Sequence, residues 1–395
     1  MRTVSKTVIG VDFGTQSARA VLVNAENGEI IYSCRKEYPY NSTPVPAIDC
    51  AENLPCATDY EMTLYELLRN VIPEEYRKTV AGICVDATSL TMVLLAEDGR
   101  ALSELDGWSE AAHARVKLWK YHRAQEKADE ALNLARNLQE PFLGRTGGSI
   151  SCEWMLPKLL EVRDEAPEIY SKIDLAMDLC EFLTFRLTGQ LVRSIGSLSY
   201  KCLWAEDLSF PERTFLNGLR AGFYEEYCHF LRGDVRKLGE CAGVLRSELT
   251  KRWGLPEQIP VATGMLDGHT SLATMGAFEP GDAALIVGTS NVCTVQDRKL
   301  QELKDVCGVA QDGMVTGSCG IDTGQSSTGN MLGWFVEHMA GWQIHREAEE
   351  RKISPHQVLA ERIQKPWENK VIAVDWWSGS RNAPCDLTLR GSMSG

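Results

Sequence analysis

The stretch 11–19 carries the residue types best suited to chemistry. It reads Val-Asp-Phe-Gly-Thr-Gln-Ser-Ala-Arg and lies between two short apolar runs, which predicts the tight turn of a β-hairpin. Gly14 allows the backbone to approach a ligand closely. Three polar residues after it add donors beside exposed backbone N–H groups: Thr15, Gln16 and Ser17. Such a turn can surround phosphoryl oxygens, although hairpin turns of this composition also occur without any function.

Asp12 precedes this turn at the end of the first predicted strand. A carboxylate in that place can hold Mg²⁺, which proteins bind through one or two carboxylates while waters and substrate phosphates complete the shell. A second turn of similar character, Gly288-Thr289-Ser290, lies between two further strand-like runs. Two such hairpins predict two halves that face one nucleotide, with Gly288 and Thr289 among its contacts. Taken alone, the second tripeptide is more typical of a surface turn.

The composition narrows the class of protein and its partners. The chain has 395 residues, which favours two or three domains, and a formal net charge of -13. Because no block of Lys and Arg is present, we expect neither a nucleic acid nor an anionic membrane as a partner. The 13 cysteines are scattered without a Cys-x-x-Cys pair, which is typical of reduced cytosolic thiols. No apolar segment resembles a signal peptide or a membrane span, so the sequence predicts a cytoplasmic protein.

The elements that must position these residues begin with three antiparallel strands. The predicted elements of this region follow in order: strands 7–11, 20–23 and 29–33, a helix that ends at Val71, and strands 80–85 and 91–95. The turn Asn27-Gly28 joins the second strand to the third. This order predicts an α/β arrangement in which helices cover a mixed sheet.

The middle of the chain is predicted to be mainly helical. Apolar stripes indicate three long helices there: 124–137, 153–163 and 174–187. The sequence Gly254-Leu255-Pro256 is typical of a boundary, and strand-like runs resume after it, the last of them at 371–374. We therefore predict one domain over 1–257 with a helical insertion, and a second domain over 258–395 that has fewer elements.

Several separate segments resemble the FGGY family of carbohydrate kinases, and within it the ribulokinases. They occur in the family's order across nearly the whole chain: 10–19, 86–92, 117–122, 199–204, 267–269, 288–290, 324–326 and 375–381. The segments Lys-Leu-Trp-Lys at 117–120 and Tyr-Lys-Cys-Leu-Trp at 200–204 resemble ribulokinases more than xylulokinases or glycerol kinases. The resemblance implies two actin-like (ribonuclease H-like) domains with a central cleft in which sugar and ATP-Mg²⁺ meet.

The resemblance also implies an activity. ATP would donate its γ-phosphate to the terminal hydroxyl of a ketopentose, with L-ribulose as the first expectation, and ATP and Mg²⁺ would be the cofactors. Another pentulose or pentitol kinase of the same family stays open, as does a sugar-binding protein that does not turn over. An actin-like ATPase of structural or chaperone type would share the two phosphate hairpins but not the two ribulokinase-like segments.

Four positions match family residues that have roles in the reaction. Asp267 takes the place of the catalytic base that accepts the proton of the sugar hydroxyl, although an Asp there could also cap a helix. Lys201 matches a lysine that contacts the sugar, although it could be a surface side chain. Ser89 lies at a small-residue position that lines the sugar pocket, or in an ordinary turn. Asp322 stands where these kinases usually have glutamate, and its shorter side chain puts the substrate or the rate in question.

The resemblance further implies that the second domain is incomplete. The family continues past the segment at 375–381 into a Gly-rich turn and helix that hold adenosine, whereas this sequence ends at Gly395. We expect either a C-terminally truncated fragment of a longer kinase or a natural truncation that binds sugar or phosphate weakly. Sheet edges uncovered in this way favour either aggregation or a partner chain, and a homo-oligomer is one expectation.

Overall fold

A computed structural model gives the fold of this chain and describes residues 6–38, 54–288, 290–363, 370–382, 386 and 388–395. Its strands in chain order are β1 (Thr7–Phe13), β2 (Ser17–Asn24), β3 (Ile30–Glu37), β4 (Val80–Ala87), β5 (Met92–Leu95), β6 (Leu175–Asp178), β7 (Val192–Ser194), β8 (Asp234–Arg236), β9 (Cys241–Val244), β10 (Pro260–Ala262), β11 (Met265–Leu266), β12 (Ala283–Val287), β13 (Asn291–Asp297), β14 (Gly308–Gln311), β15 (Cys319–Gln325), β16 (Ile372–Val374) and β17 (Ser392–Ser394).

Its helices in chain order are α1 (Ala57–Val71), α2 (Gln125–Leu138), α3 (Met155–Glu165), α4 (Pro167–Tyr170), α5 (Leu179–Thr188), α6 (Ile195–Lys201), α7 (Arg213–Leu219), α8 (Phe223–Phe230), α9 (Ser247–Trp253), α10 (Asp267–Met275), α11 (Gly329–His338), α12 (Trp342–Arg351) and α13 (Pro355–Arg362). Within the described parts of the chain, every helix is too short or too polar to cross a lipid bilayer.

A seven-stranded mixed sheet organises the first half of the chain in the order β3-β2-β1-β4-β10-β9, and β11 also pairs with β4. β1 pairs antiparallel with β2 and parallel with β4. The predicted mixed sheet is therefore confirmed. Along β1, Ile9, Val11 and Phe13 are buried, so the alternation of a strand places Asp12 on the opposite face.

Two cores stabilise the first half. Apolar side chains of α1, α5 and α9 pack on the seven-stranded sheet and bury residues such as Phe13, Leu64 and Phe182. A second core lies within the helical region, where α2, α3, α7 and α8 pack on one another around Leu156 and Phe215. The helical region is thus a packed unit of its own, able to hold loops in place around the edge of the sheet.

The predicted helix over 174–187 is wrong at its start. Leu175–Asp178 forms β6, which pairs antiparallel with β5, and α5 begins only at Leu179. The Asp178 side chain accepts a hydrogen bond from the Leu179 backbone N–H (2.9 Å) and so caps the helix. A short apolar run fits both helical and strand periodicity, and pairing with β5 decides the outcome here.

The second half is built on a four-stranded antiparallel sheet in the order β12-β13-β15-β14. The predicted hairpin of β12 and β13 is confirmed, and the predicted strand 371–374 corresponds to β16. Sequence patterning did not predict the helices α11, α12 and α13. β10 and β11 pair with β4 although they follow residue 258. We therefore propose that the second domain starts after Leu266, later than the predicted boundary.

Candidate active site

A cavity of about 750 Å³ opens between the two sheets. Its lining brings together predicted site residues from both halves of the chain: Asp12, Thr15, Ser89, Lys201, Asp267, Gly288 and Asp322. Gly14, Gln16 and Ser17 are not among the lining residues, and Thr289 lies outside the described residues. Positions that are far apart in the sequence therefore meet at one site.

Strand register places three aspartates side by side. Asp12 of β1 is the direct partner of Asp86 in the parallel pairing with β4, and β11, on the other side of β4, ends one residue before Asp267. Parallel strands have their carboxyl ends at one edge of a sheet, and neighbouring strands are roughly 4.8 Å apart. The three carboxylates therefore lie close together where the cavity meets the first sheet.

The surroundings of Asp86 and Asp267 change the titration of these two carboxyl groups. Burial, together with the charges of Asp12 and Asp267 and a hydrogen bond with Asp12, raises the pKa of Asp86 to about 8. Burial also raises the pKa of Asp267 to about 7, and the charge of Asp12 contributes to this increase. A hydrogen bond from the Gly268 N–H acts in the opposite direction and lowers the pKa. Near neutral pH this group of three shares fewer than three negative charges.

The carboxylate of Asp267 is held by backbone donors. Asp267 is the first residue of α10, whose N-cap is Leu266, and its Oδ1 accepts a hydrogen bond from the Gly268 N–H (2.7 Å). The Ser89 backbone N–H also donates to it. Asp178 fixes the turn at Ser89 by accepting the N–H groups of the next two residues at 3.1 and 3.2 Å. The buried Ser89 hydroxyl has no hydrogen-bond partner among the described residues.

The opposite wall of the cavity carries a compensated charge cluster. Lys201 Nζ at the end of α6 lies 3.2 Å from Asp322 Oδ2 on β15, and His269 Nε2 lies 3.8 Å from the same oxygen. Burial alone would raise the pKa of Asp322, but Lys201 and His269 together hold that pKa well below its usual range. Although burial opposes it, Asp322 raises the pKa of Lys201. Both members of the pair are therefore charged across the physiological pH range.

A second compensated cluster was missed by sequence reasoning. Buried Glu153 accepts from His122 Nε2 (3.0 Å) and from the Arg381 guanidinium (3.1 Å), and the Arg381 guanidinium stacks 5.1 Å from the centre of the Trp119 ring. Burial would raise the pKa of Glu153, but Arg381 and His122 lower it to about 2. The segments at 117–122 and 375–381 carried the family resemblance, which is the signal that could have identified them.

The turn at 14–17 contributes fewer hydrogen-bonding groups to the cavity than the sequence predicted. The Gly14 N–H donates to the Ser17 carbonyl (3.1 Å), and the Gly14 carbonyl accepts from the Tyr38 hydroxyl (2.9 Å). Ser17 is buried, and its hydroxyl accepts from Arg35 Nε (3.0 Å), whereas Gln16 is exposed. Gly14 and Ser17 therefore close the turn with their own hydrogen bonds, and a direct contact between them and phosphate stays a prediction.

Thr15 and Gly288 do face the cavity, one from each sheet. The Thr15 hydroxyl accepts from the Trp119 indole N–H (3.1 Å). The Gly288 N–H donates to the Ser290 carbonyl (3.0 Å), and the Gly288 carbonyl accepts from the Gly329 N–H (3.0 Å) at the start of α11. Two hairpins thus border one cavity from opposite sides, and phosphate binding by them stays a prediction.

The arrangement is chemically suited to moving a phosphoryl group onto a hydroxyl. A carboxylate with a pKa near neutrality can accept a proton, and fixed charged groups can hold a polyhydroxyl ligand. Carboxylate oxygens such as those of Asp12 also suit Mg²⁺. Among the described residues, no group of three or more His, Cys, Asp or Glu side chains could hold a metal ion by itself. A Mg²⁺ ion at Asp12 would therefore need waters and phosphate oxygens as further ligands, which is its usual preference.

Comparison with known proteins places this site in a family context. The model of the FGGY family of carbohydrate kinases, N-terminal domain, matches residues 7–275. A ribulokinase from Halalkalibacterium halodurans is 33% identical over 401 residues, covering 99% of this chain and 71% of that protein. A ribulokinase from Mycolicibacterium smegmatis is 35% identical over 402 residues with the same coverage, 99% and 71%.

Solved structures agree on the fold. Xylulose kinase from Lactobacillus acidophilus, solved with a bound ligand, superposes with a TM-score of 0.76 at 18% identity, covering 99% of this chain and 72% of that one. Glycerol kinase from Plasmodium falciparum, solved with ADP, gives a TM-score of 0.71 at 16% identity and covers 99% of this chain and 73% of that one. The predicted actin-like α/β fold is therefore confirmed.

Proposed function

Because this chain belongs to the FGGY family of carbohydrate kinases, which are ATP-dependent phosphotransferases, we propose that it phosphorylates the terminal hydroxyl of a ketopentose, L-ribulose. One observation carries the proposal: Asp267, Lys201 and Asp322 line the same cavity, which Asp12 also lines from the edge of the first sheet. A proton acceptor, a sugar-binding pair and a place for the metal nucleotide are thus within one site.

In this proposal Asp267 is the catalytic base. Its carboxylate accepts the proton of the sugar hydroxyl as that oxygen attacks the γ-phosphorus of ATP, and ADP leaves. The N–H groups of Gly268 and Ser89 fix the carboxylate, so little reorganisation is needed when the proton arrives. The raised pKa of Asp267 makes it a stronger acceptor than an exposed Asp.

Asp12 would hold Mg²⁺, and Thr15 and Gly288 would border the phosphates of ATP. The ion would neutralise charge on the transferring phosphoryl group when bound. The raised pKa values of Asp86 and Asp267 support this placement, since a cation beside them would relieve the repulsion between their carboxylates and that of Asp12.

The choice of L-ribulose rests on the relatives named ribulokinase, which align over 99% of this chain. Lys201 and Asp322 offer a cation and an anion to the hydroxyl groups of the sugar, and Ser89, which lines the same cavity, has a hydroxyl without a hydrogen-bond partner in the described part of the chain. Because Asp322 stands in the place of the longer glutamate, the sugar must come closer to β15 for the same contact. A related pentulose or pentitol is the alternative substrate.

The test is a coupled ADP-release assay with MgATP and a panel of pentuloses and pentitols. We expect turnover with L-ribulose to exceed that with D-xylulose or glycerol by at least about tenfold, the effect of one well-placed polar contact. Calorimetric titration of the same sugars measures binding separately. Sugar binding without ADP release would support the sugar-binding alternative, and sugar-independent ATP turnover would favour an actin-like ATPase.

A further inference from the structure

Lys158 of α3 is a fully buried lysine that is not among the residues lining the cavity between the sheets. Its ammonium group donates to three backbone carbonyls, those of Leu90 (2.6 Å), Leu118 (2.9 Å) and Lys117 (3.3 Å). An ammonium group has three N–H donors, so these carbonyls satisfy it, as a buried charge requires. The shortest of the three bonds goes to the turn that carries Ser89.

Leu90 has an unusual backbone conformation in this turn. Its φ is 64°, in the left-handed region, although it is a buried leucine. This region is unfavourable for a residue with a Cβ atom, because the Cβ atom then crowds the following carbonyl oxygen. Contacts with the surrounding structure must therefore hold Leu90 there.

Charged side chains hold both peptide groups that flank Leu90. The peptide before it donates its N–H to Asp178 Oδ2 (3.1 Å). In the peptide after it, the Thr91 N–H donates to Asp178 Oδ1 (3.2 Å). The carbonyl of that same peptide, on Leu90, accepts from Lys158. Because Asp178 and Lys158 are both buried, these charge-assisted bonds are shielded from water and determine the φ and ψ angles of Leu90.

The residue before Leu90 connects this conformation to the proposed reaction. The Ser89 N–H donates to the carboxylate of Asp267. Since Ser89 is joined directly to Leu90, rotation of the Leu90 backbone would shift that N–H relative to the carboxylate. We propose that Lys158 is a positioning residue for the reaction, which keeps the Ser89 N–H on the carboxylate of Asp267. This inference rests on the proposed role of Asp267 as the catalytic base.

Lys158→Met tests the proposal, and Lys117→Met is the matched control. Lys117 is also fully buried, but its Nζ donates to the Ala112 carbonyl (3.4 Å) and not to the turn at Ser89. Amide hydrogen exchange, followed by mass spectrometry on peptides that span 88–91, measures the order of the turn without any substrate. We expect exchange there to be at least about tenfold faster in Lys158→Met, the factor for one hydrogen bond to a charged group. Lys117→Met should leave it unchanged.

Steady-state kinetics on variants shown to be folded by circular dichroism tests the link to the base. We expect kcat of Lys158→Met to fall about 10–100-fold while KM for MgATP stays within about twofold, because the proton acceptor is misplaced and the nucleotide contacts remain. In the Asp267→Asn background the same substitution should lower kcat by less than about twofold, because both residues act on one step. A purely structural role would instead lower kcat by the same factor in both backgrounds.

Three results would overturn the proposal: unchanged exchange over 88–91 in folded Lys158→Met, the same faster exchange in Lys117→Met, or kcat losses that multiply with Asp267→Asn. If Lys158→Met does not fold, Lys158→Gln takes its place with the same expected and overturning results. Its amide has two donors on a side chain one bond shorter, so it cannot serve all three carbonyls. If the parent phosphorylates no sugar, the proposed function fails, whereas hydrogen exchange still decides whether Lys158 holds the turn.

Discussion

The two walls of the cavity between the sheets differ in whether their carboxylates form ion pairs. Where the cavity meets the first sheet, Asp12, Asp86 and Asp267 lie together, and none of the ion pairs among the described residues involves them. On the other wall, Asp322 and Glu153 are each paired with a cation and a histidine. Burial raises pKa values at the first wall, whereas ion pairs lower them at the second.

This difference separates two tasks. A carboxylate with a compensating cation keeps its charge and serves as a fixed acceptor, which suits binding of a hydroxyl-rich ligand. Among the carboxylates without a compensating cation, Asp86 and Asp267 have pKa values near neutrality, and the group attracts a cation, which suits proton transfer and a metal nucleotide. The first wall is thus suited to chemistry, and the second wall to binding.

Asp267→Asn is expected to have the largest effect. The amide cannot accept the sugar proton, so kcat should fall by about 10²–10⁴-fold while KM for the sugar changes little. ADP release measures both constants. Asp98→Asn, which alters an exposed carboxylate bound to Arg100, is the matched control. If kcat of Asp267→Asn stays within a few-fold of the parent, Asp267 is not the base.

Lys201→Met tests the compensated wall. It leaves Asp322 buried with His269 alone, so the free energy of unfolding should fall by about 3–5 kcal/mol and sugar binding should weaken at least about tenfold. Urea unfolding and calorimetry measure the two effects. The double variant Lys201→Met/Asp322→Leu removes both charges and should regain stability but not sugar binding. A double variant that binds sugar normally would contradict the assignment of this wall to binding.

The rate should depend on pH through Asp267. Its pKa is raised to about 7, so the carboxylate is protonated and inactive as a base below that pH. We expect kcat/KM for the sugar to fall about tenfold per pH unit below the midpoint, with bound Mg²⁺ moving the midpoint lower. Initial rates between pH 5.5 and 8.5 measure this profile at roughly constant ionic strength. A flat profile would argue against titration of the base in this range.

Asp86→Asn tests the uncompensated wall without any substrate. The folded-state pKa of Asp86 is raised from 3.8 to about 8, so the stability that its protonated form contributes is complete below pH 3.8 and is lost as pH rises through 8. At pH 8.5 the Asn variant should therefore be more stable than the parent by roughly 1–3 kcal/mol. Urea unfolding in the presence of EDTA should show that this difference in the free energy of unfolding becomes smaller toward pH 4. A gap independent of pH would assign the effect to packing.

Asp322→Glu should have the smallest effect. It keeps the charge and lengthens the side chain by one methylene group, so the ion pair with Lys201 can persist. We expect a change of about 2–10-fold in KM for the sugar and a smaller change in kcat, because the carboxylate moves by about one bond length. Steady-state kinetics on two pentuloses would show whether the preferred sugar changes. An unchanged KM for both sugars would mean that this side chain does not touch the substrate.

How much the sequence could predict depended on how local each feature is. The hairpin around Gly14 and the strand that carries Asp86 follow from alternation and turn chemistry within a few residues. The cluster of Glu153 and Arg381 joins positions 228 residues apart, and no periodicity indicates which distant segments pack together. Asp86 was known only as part of a family segment, because its role depends on its register with Asp12.

Two errors have more specific causes. Leu175–Asp178 is a short apolar run, for which strand and helix patterns are indistinguishable until β5 provides a partner. The helices after residue 329 did carry signals, such as the Ser354 N-cap before Pro355 and the spacing of Arg346 and Glu350. These signals are modest because the helices bury few residues, so the apolar stripe that marks a core helix is weak there.

The pair formed by Lys201 and Asp322 joins a helix of the first half to a strand of the second. The two residues proposed to bind the substrate therefore also connect the two halves of the chain through an ion pair. Moving the two halves far apart would break this desolvated ion pair. We therefore expect release of the sugar to be limited by breaking of the ion pair. The rate constant for dissociation of the sugar, measured by stopped flow, should then be larger in Lys201→Met than in the parent protein. The increase should exceed what the weaker sugar contacts of the variant alone explain. A dissociation rate constant equal to that of the parent would show that this ion pair does not limit release of the sugar.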